Sequence, residues 1–320
     1  MAAQGSRTVI FAALAGNSLI AVTKFIAAAY TGSSAMLSEG IHSLVDTGNQ
    51  GLLLYGIKRS ARPPSDAHPF GHGPEIYFWS FVVAILIFAV GSGVSIYEGI
   101  AKIQEPHPIE NPLINYIVLG LALVFEGGAW FIAYRAFQAT RGKRGYFEAV
   151  RLSKDPTVFT VLFEDTAAML GLIVAGAGIF AADYLALPWL DGAASIAIGL
   201  ILAGTAILLA IETKGLLIGE SAAPEVVKGI REIVSAASCV NAINEIRTMH
   251  QGPNEVLLAV SIDFKDGIAV GSVEETVYAL EMRIKKKFPA VRRVFIEAQS
   301  AQHHARIIEA EVTGEVPRNA

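Results

Sequence analysis

His42 and Asp46 stand one helical turn apart in an apolar stretch of the chain, and both side chains can hold a divalent cation. The i, i+4 spacing puts them on one face of a helix, close enough to share an ion. A charge or imidazole at membrane depth is costly, which makes such a pair a functional-site candidate by default. Further along, Glu164 and Asp165 form an acidic pair in another apolar stretch and supply an opposite wall. His42, Asp46 and Asp165 give three ligands of a tetrahedral site. Imidazole with carboxylate suits Zn²⁺ and related ions such as Mn²⁺, Fe²⁺, Co²⁺ and Ni²⁺, whereas Mg²⁺ and Ca²⁺ prefer all-oxygen shells.

The fourth ligand is open. Val161, four residues before Asp165, has no donor atom. Glu164 lies about 100° around the helix from Asp165 and must bend back to reach the same ion. Glu126 and water are the other candidates, with Glu164 slightly ahead. Glu39, one turn before His42 on the same face, is a candidate proton relay or ion-entry group, or equally a solvated interface residue. The plainer reading of His42 and Asp46 is a hydrogen-bonded pair that holds helices together.

Outside this cluster, Asp66-x-His68-x-x-x-His72 offers two imidazoles and a carboxylate for a second metal, with Gly71 and Gly73 allowing a tight backbone. The competing reading is a loop that caps the following span. His250, His303 and His304 are more readily surface histidines than ligands. Asn17, Lys24 and Asp191 are expected to pack helices or compensate charge, and the single cysteine, Cys239, to be a small buried hydrophobe.

The elements that must position these groups are membrane helices. The 320 residues are 53% hydrophobic with a mean hydropathy of +0.48, too apolar for an ordinary soluble domain, whose apolar share is about 45–50% even with Gly counted. The net charge of −4 offers no basic excess for nucleic acid. A span needs roughly 20 mostly apolar residues, and six windows qualify, at about 8–30, 34–57, 77–101, 113–137, 157–182 and 189–212. Lys58, Arg59 and Arg62 follow the second, and Arg141, Lys143, Arg144, Arg151 and Lys154 the fourth, while the intervening connections are nearly free of basic residues. Both termini should therefore be cytoplasmic. The first apolar run continues without a cleavage pattern, so it is read as a span rather than a signal peptide, and a bacterial inner membrane is expected.

Beyond a six-helix transport domain over residues 1–219, a small cytoplasmic α+β domain is expected over 220–300. Its elements are helix (224–236), strand (243–249), strand (255–264), helix (271–288) and strand (292–298), with Gly252-Pro253 as the turn between the first two strands. This gives two helices on one face of a three-stranded sheet. Residues 301–320 are expected as a flexible tail, a frayed helix or disorder.

Taken together, the six spans, the Glu39-x-x-His42-x-x-x-Asp46 turn, the His-Pro-Phe-Gly-His-Gly loop from His68 to Gly73, Asp165 followed by Gly171, and the Gly252-Pro253 turn resemble the cation diffusion facilitators over about residues 8–300. The resemblance implies a homodimeric exporter that moves Zn²⁺ or a related divalent cation out of the cytoplasm in exchange for protons. It also implies a ferredoxin-like, metallochaperone-like C-terminal domain. The family's transport site takes two ligands from the second helix and two from the fifth. His42, Asp46 and Asp165 match three of these positions and Val161 does not match the fourth. A dinuclear zinc site at the C-terminal dimer interface would fall on Asn244, Val260, Glu297 and Gln299, most of them poor ligands. The expected cycle is alternating access with protons displacing the ion. Two other classes stay open: a membrane metal sensor without transport, and an intramembrane metal-dependent hydrolase, which would need a general base beyond Glu39 or Glu164.

Overall fold

Ser33 caps α2 (Ser34–Ser60) with its hydroxyl accepting from the Met36 amide, and only Gly32 separates it from the end of α1 (Ala2–Thr31). The Gly32 backbone has φ +67°, a left-handed conformation that glycine adopts without strain. In this computed structural model residues 2–142 and 145–313 are described. Lys143, Arg144 and the tail from 314 lie outside the described residues.

The helical part continues with α3 (Glu75–Leu86), which runs through a six-residue π-helical segment (Ile87–Ser92) into α4 (Gly93–Gln104). It is completed by α5 (Pro112–Arg141), the short α6 (Tyr146–Leu152), α7 (Pro156–Tyr184) and α8 (Trp189–Ile218). Four helical stretches are long and apolar enough to cross a membrane among the described residues: Glu75–Gln104, Pro112–Gln138, Phe159–Tyr184 and Trp189–Ile218. The sequence led us to expect six. The 27-residue α2 is long enough, but Glu39, His42, Asp46, Asn49, Gln50, Lys58 and Arg59 lower its hydropathy. In α1 only part of the helix has described side chains. Leu19, Ile26, Ile117, Val124, Ile173 and Phe180 are exposed large apolar residues of α1, α5 and α7, as lipid-facing side chains are.

Small residues let these helices approach closely. A Cβ on Gly99 of α4 would strike the Gly192 carbonyl of α8, and one on Gly178 of α7 would strike Ala194 of α8. At the other end of α2's cap, the buried Asp191 carboxylate accepts from Ser33 Oγ (2.7 Å), the Ser34 amide (2.7 Å) and the Ala35 amide (3.3 Å). A carboxylate there satisfies free amides and suits the positive end of the helix dipole. Lys102 Nζ lies 4.0 Å from it and donates to the Gly32 carbonyl. Asp191 and Lys102 thus compensate one another while fixing where α2 begins.

The chain divides into two compact units, residues 1–64 with 74–215 and residues 65–73 with 216–320. In the second unit α9 (Pro224–Ser235) precedes β1 (Val240–Gly252), β2 (Glu255–Phe264), α10 (Val270–Lys287), β3 (Val291–Ala298) and α11 (Ala301–Thr313). The sheet order is β1-β2-β3, antiparallel between β1 and β2 and parallel between β2 and β3. Val256, Leu258, Val260 and Ile262, every second residue of β2, pack with Ile230 and Val234 of α9 and Leu280 and Ile284 of α10, as the period of a strand requires. The stretch from 301, expected as a tail, is helical as far as Thr313.

The segment 65–73 packs within this second unit, although in sequence it connects two helices of the first. Phe70 meets Phe295 edge-on at 6.5 Å, Arg293 stacks over the Phe70 ring at 5.5 Å, and Arg293 also donates to the Pro69 carbonyl. Gly73 lies so close to the Gln251 carbonyl that no Cβ fits.

Candidate metal centre

Polar residues recur on α2 at helical spacing, Glu39, His42, Ser43, Asp46, Asn49 and Gln50, so they lie along one stripe of the helix. Glu39, His42, Ser43, Asp46 and Asn49 are all buried, His42 to 1% exposure and Asp46 to 9%. Within the stripe His42 Nε2 and Asp46 Oδ2 are 3.5 Å apart. Both imidazole nitrogens, Asp46 Oδ1 and Asp165 Oδ2 are enclosed without a hydrogen-bond partner. Buried polar atoms are nearly always paired, and unpaired donors of this type are what a cation would satisfy.

From α7, Glu164 is buried and Asp165 is half-buried. Glu164 Oε1 accepts from Asn49 Nδ2 at 2.8 Å, which ties the carboxylate to α2. Asp46 lies within electrostatic reach of Glu164, Glu126 and Asp165, so carboxylates from α2, α5 and α7 crowd one region. No group of three or more His, Cys, Asp and Glu side chains is already drawn together around one point among the described residues. The structure thus brings His42 and Asp46 into contact and sets Glu164 and Asp165 in the same electrostatic neighbourhood, without collecting the four donors.

Lys24 of α1 is fully buried and ion-paired to two of these acids, Glu39 Oε2 at 3.0 Å and Glu126 Oε1 at 2.8 Å, with Ser43 Oγ at 2.9 Å. Glu39 therefore holds a lysine rather than facing solvent. Glu126, raised above as a fourth ligand, has one oxygen committed to the same ammonium. Gly171 of α7 supplies the room, because a Cβ there would collide with Glu39 Oε1. Sequence reasoning passed over Asn49 and left Lys24 without a partner. Asn49 was findable, standing three residues after Asp46 on the stripe, whereas the Lys24–Glu126 pair spans helices far apart in sequence.

The second candidate cluster is partly assembled. The His68 and His72 rings lie 4.5 Å apart, in a loop closed by the Ser65–His68 backbone bonds and a Gly71 at φ +91°. Asp66 is not gathered with them into a three-donor group. In the C-terminal domain three of the four positions aligned with a zinc site engage one another or the core, while Glu297 is exposed. Asn244 donates to Ser261 Oγ and to the Gln299 carbonyl, Gln299 Oε1 contacts His304 Nδ1 at 2.8 Å, and Val260 is buried. His250 Nδ1 contacts the Gly252 carbonyl and His303 Nδ1 contacts Ser300 Oγ.

The chain is similar in sequence to several known proteins. The chain is 33% identical over 274 residues to the mitochondrial proton-coupled zinc antiporter SLC30A9 of Mus musculus, a match covering 85% of this chain and 48% of that protein. It is 29% identical over 269 residues to metal tolerance protein C4 of Arabidopsis thaliana, covering 83% and 59%. It is 26% identical over 279 residues to the cation-efflux pump FieF of Escherichia coli, covering 87% of each. The chain thus spans about half the length of the SLC30A9 relatives it matches. A nickel form of the MamM C-terminal domain is similar over 24% of this chain and 98% of that one, at 15% identity and a TM-score of 0.23. The family model described as the cation efflux transmembrane domain matches residues 10–218, well over half of the sequence, and the chain belongs to that family, the cation diffusion facilitators.

Proposed function

We propose that this protein exports a divalent transition-metal cation, Zn²⁺ or a close relative, in exchange for protons. The ion is held as substrate by His42, Asp46 and Asp165, with Glu164 as the fourth donor. The observation that carries the reading is a charge imbalance. Five carboxylates, Glu39, Asp46, Glu126, Glu164 and Asp165, share the interior of the helical unit, and Lys24 is the one ammonium or guanidinium ion-paired with them among the described residues. In a medium of low polarity such a surplus must be met by a cation or by protons. Both answers are the two half-reactions of an exchanger, since ligands give up protons to bind a metal and regain them to release it.

Asn49 orients Glu164, and the half-buried Asp165 gives the ion its least enclosed donor. The relatives named as a zinc antiporter and a cation-efflux pump support the direction and the substrate class. The finer architecture is part of the same proposal. It comprises six spans with α1 and α2 included, both termini cytoplasmic in a bacterial inner membrane, a ferredoxin-like C-terminal domain, and a homodimer joined through it. His68 and His72 with Asp66 would be an auxiliary cytoplasmic metal site.

The test is metal-driven proton flux in proteoliposomes. Zn²⁺ entry should move protons the opposite way, and His42→Ala and Asp46→Ala should each abolish the coupled flux. Normal transport by either variant would overturn the assignment.

A further inference from the structure

We propose that Lys24 is a specificity-determining residue, a resident cation whose ammonium holds Glu126 out of the metal's coordination sphere. This rests on the transport-site reading above and goes beyond it. Three observations carry it. Lys24 is fully buried and bridges Glu39 of α2 and Glu126 of α5 at 3.0 and 2.8 Å, with Ser43 closing its donor set at 2.9 Å. Glu126 lies within electrostatic reach of both Asp46 and Asp165, so it borders the proposed donors. Its second oxygen, Oε2, is enclosed and has no hydrogen-bond partner, so the carboxylate is half-committed and able to serve another cation.

The consequence is chemical. With Glu126 occupied by Lys24, the ion meets one imidazole and a limited set of carboxylates, a mixture that suits Zn²⁺. With Lys24 removed, Glu126 adds an oxygen donor to the same shell, and carboxylate-rich shells favour Mn²⁺. Loss of a positive charge strengthens attraction for every divalent cation alike, so the ratio of affinities, not either affinity alone, reports the donor set.

The experiment is calorimetric binding of Zn²⁺ and Mn²⁺ to the full chain in detergent, each metal alone. In Lys24→Gln the Zn²⁺-to-Mn²⁺ affinity ratio should fall on the order of tenfold, the scale on which groups behind the ligands tune metal affinity. Adding Glu126→Gln should return the ratio to that of the unaltered protein, and Lys24→Arg, which keeps a cation there, should preserve it. Lys24→Gln leaves the buried Glu39 and the partly buried Glu126 carboxylates without a counter-ion and is expected to be the less stable variant. Lys24→Gln with Glu39→Gln removes the ammonium together with one partner and gives the same readout, since Glu126 is still released. A folded Lys24→Gln or Lys24→Gln/Glu39→Gln protein with an unchanged ratio overturns the proposal. So does a changed ratio that persists after Glu126→Gln. Failure of the transport-site reading looks different: Asp46→Ala would bind both metals as the unaltered protein does.

Discussion

Asn49 Nδ2 donates to Glu164 Oε1 across 2.8 Å, joining α2 to α7 at the level of the proposed ion site. This bond gives Glu164, the ambiguous fourth donor, a fixed orientation. Asn49 engages only Oε1, and the other carboxylate oxygen is the one proposed to serve the ion. Outer partners that orient a ligand typically affect metal affinity by 10–100-fold.

Asn49→Ala should therefore weaken Zn²⁺ binding by roughly 10–100-fold, and Glu164→Ala should weaken it at least as much. The double variant should bind no more weakly than Glu164→Ala alone, because Asn49 acts through Glu164. Calorimetry on the three proteins decides it. Additive losses would mean that Asn49 reaches the ion by another route.

The sign of the pH dependence follows from the donor set. Imidazole and carboxylate must shed protons before they coordinate, so acidification competes with the metal and alkalinisation favours it. Apparent Zn²⁺ affinity should fall steadily as pH falls from neutral, with protons released on binding. Comparing binding heats in buffers of different ionisation enthalpy counts those protons. A count of zero would leave no basis for exchange at this site.

How far the sequence carried can be seen residue by residue. The strand expected at 255–264 is β2, Glu255–Phe264, because alternating apolar residues bounded by a Gly-Pro turn leave few other solutions. The apolar windows matched α5, α7 and α8 closely for the same reason. His42 and Asp46 were legible because one turn of helix relates them. Lys24 with Glu126 was not, since α1 and α5 pair only through tertiary packing and leave no periodic trace. Nor was the π-helical segment at Ile87–Ser92, whose local residues read as ordinary helix. The 65–73 loop was read for its histidines, whereas its packing depends on Phe70 meeting Phe295 and Arg293.

Gly171→Ala tests the room left for Glu39. The new methyl collides with Glu39 Oε1, and Glu39 is pinned from its other oxygen by Lys24. Forcing atoms into a filled interior costs about 1–3 kcal/mol, so the variant should melt earlier in detergent. Glu39→Asp, one methylene shorter, should recover part of the loss in the Gly171→Ala background. Equal melting of the unaltered and Gly171→Ala proteins would show that Glu39 has another place to go.

Asp191→Ala removes the acceptor shared by Ser33 Oγ and the Ser34 and Ala35 amides at the start of α2. Hydrogen bonds to a charged group contribute about 1.5–3 kcal/mol each, and stranding buried donors adds to the loss. It also leaves Lys102 without its neighbouring acid. The variant should therefore be among the least stable, with Asp191→Asn milder because one carbonyl oxygen still accepts. Thermal unfolding in detergent ranks the two, and an Asp191→Ala protein as stable as the unaltered one would remove the cap from the account of α2.

Gly73→Ala addresses the second unit. Its Cβ would overlap the Gln251 carbonyl, a backbone atom that has no rotamer in which to withdraw. The loop must lift to accommodate it, giving up Phe70 against Phe295 and Arg293 over Phe70. Such aromatic contacts contribute about 0.5–1.5 kcal/mol, so docking should weaken without unfolding a core built from Leu258, Ile262 and Leu280. Limited proteolysis should cut between residues 65 and 73 faster in Gly73→Ala than in the unaltered protein, with Phe70→Ala intermediate. Unchanged cleavage in Gly73→Ala would mean that the loop is not held by its approach to Gln251.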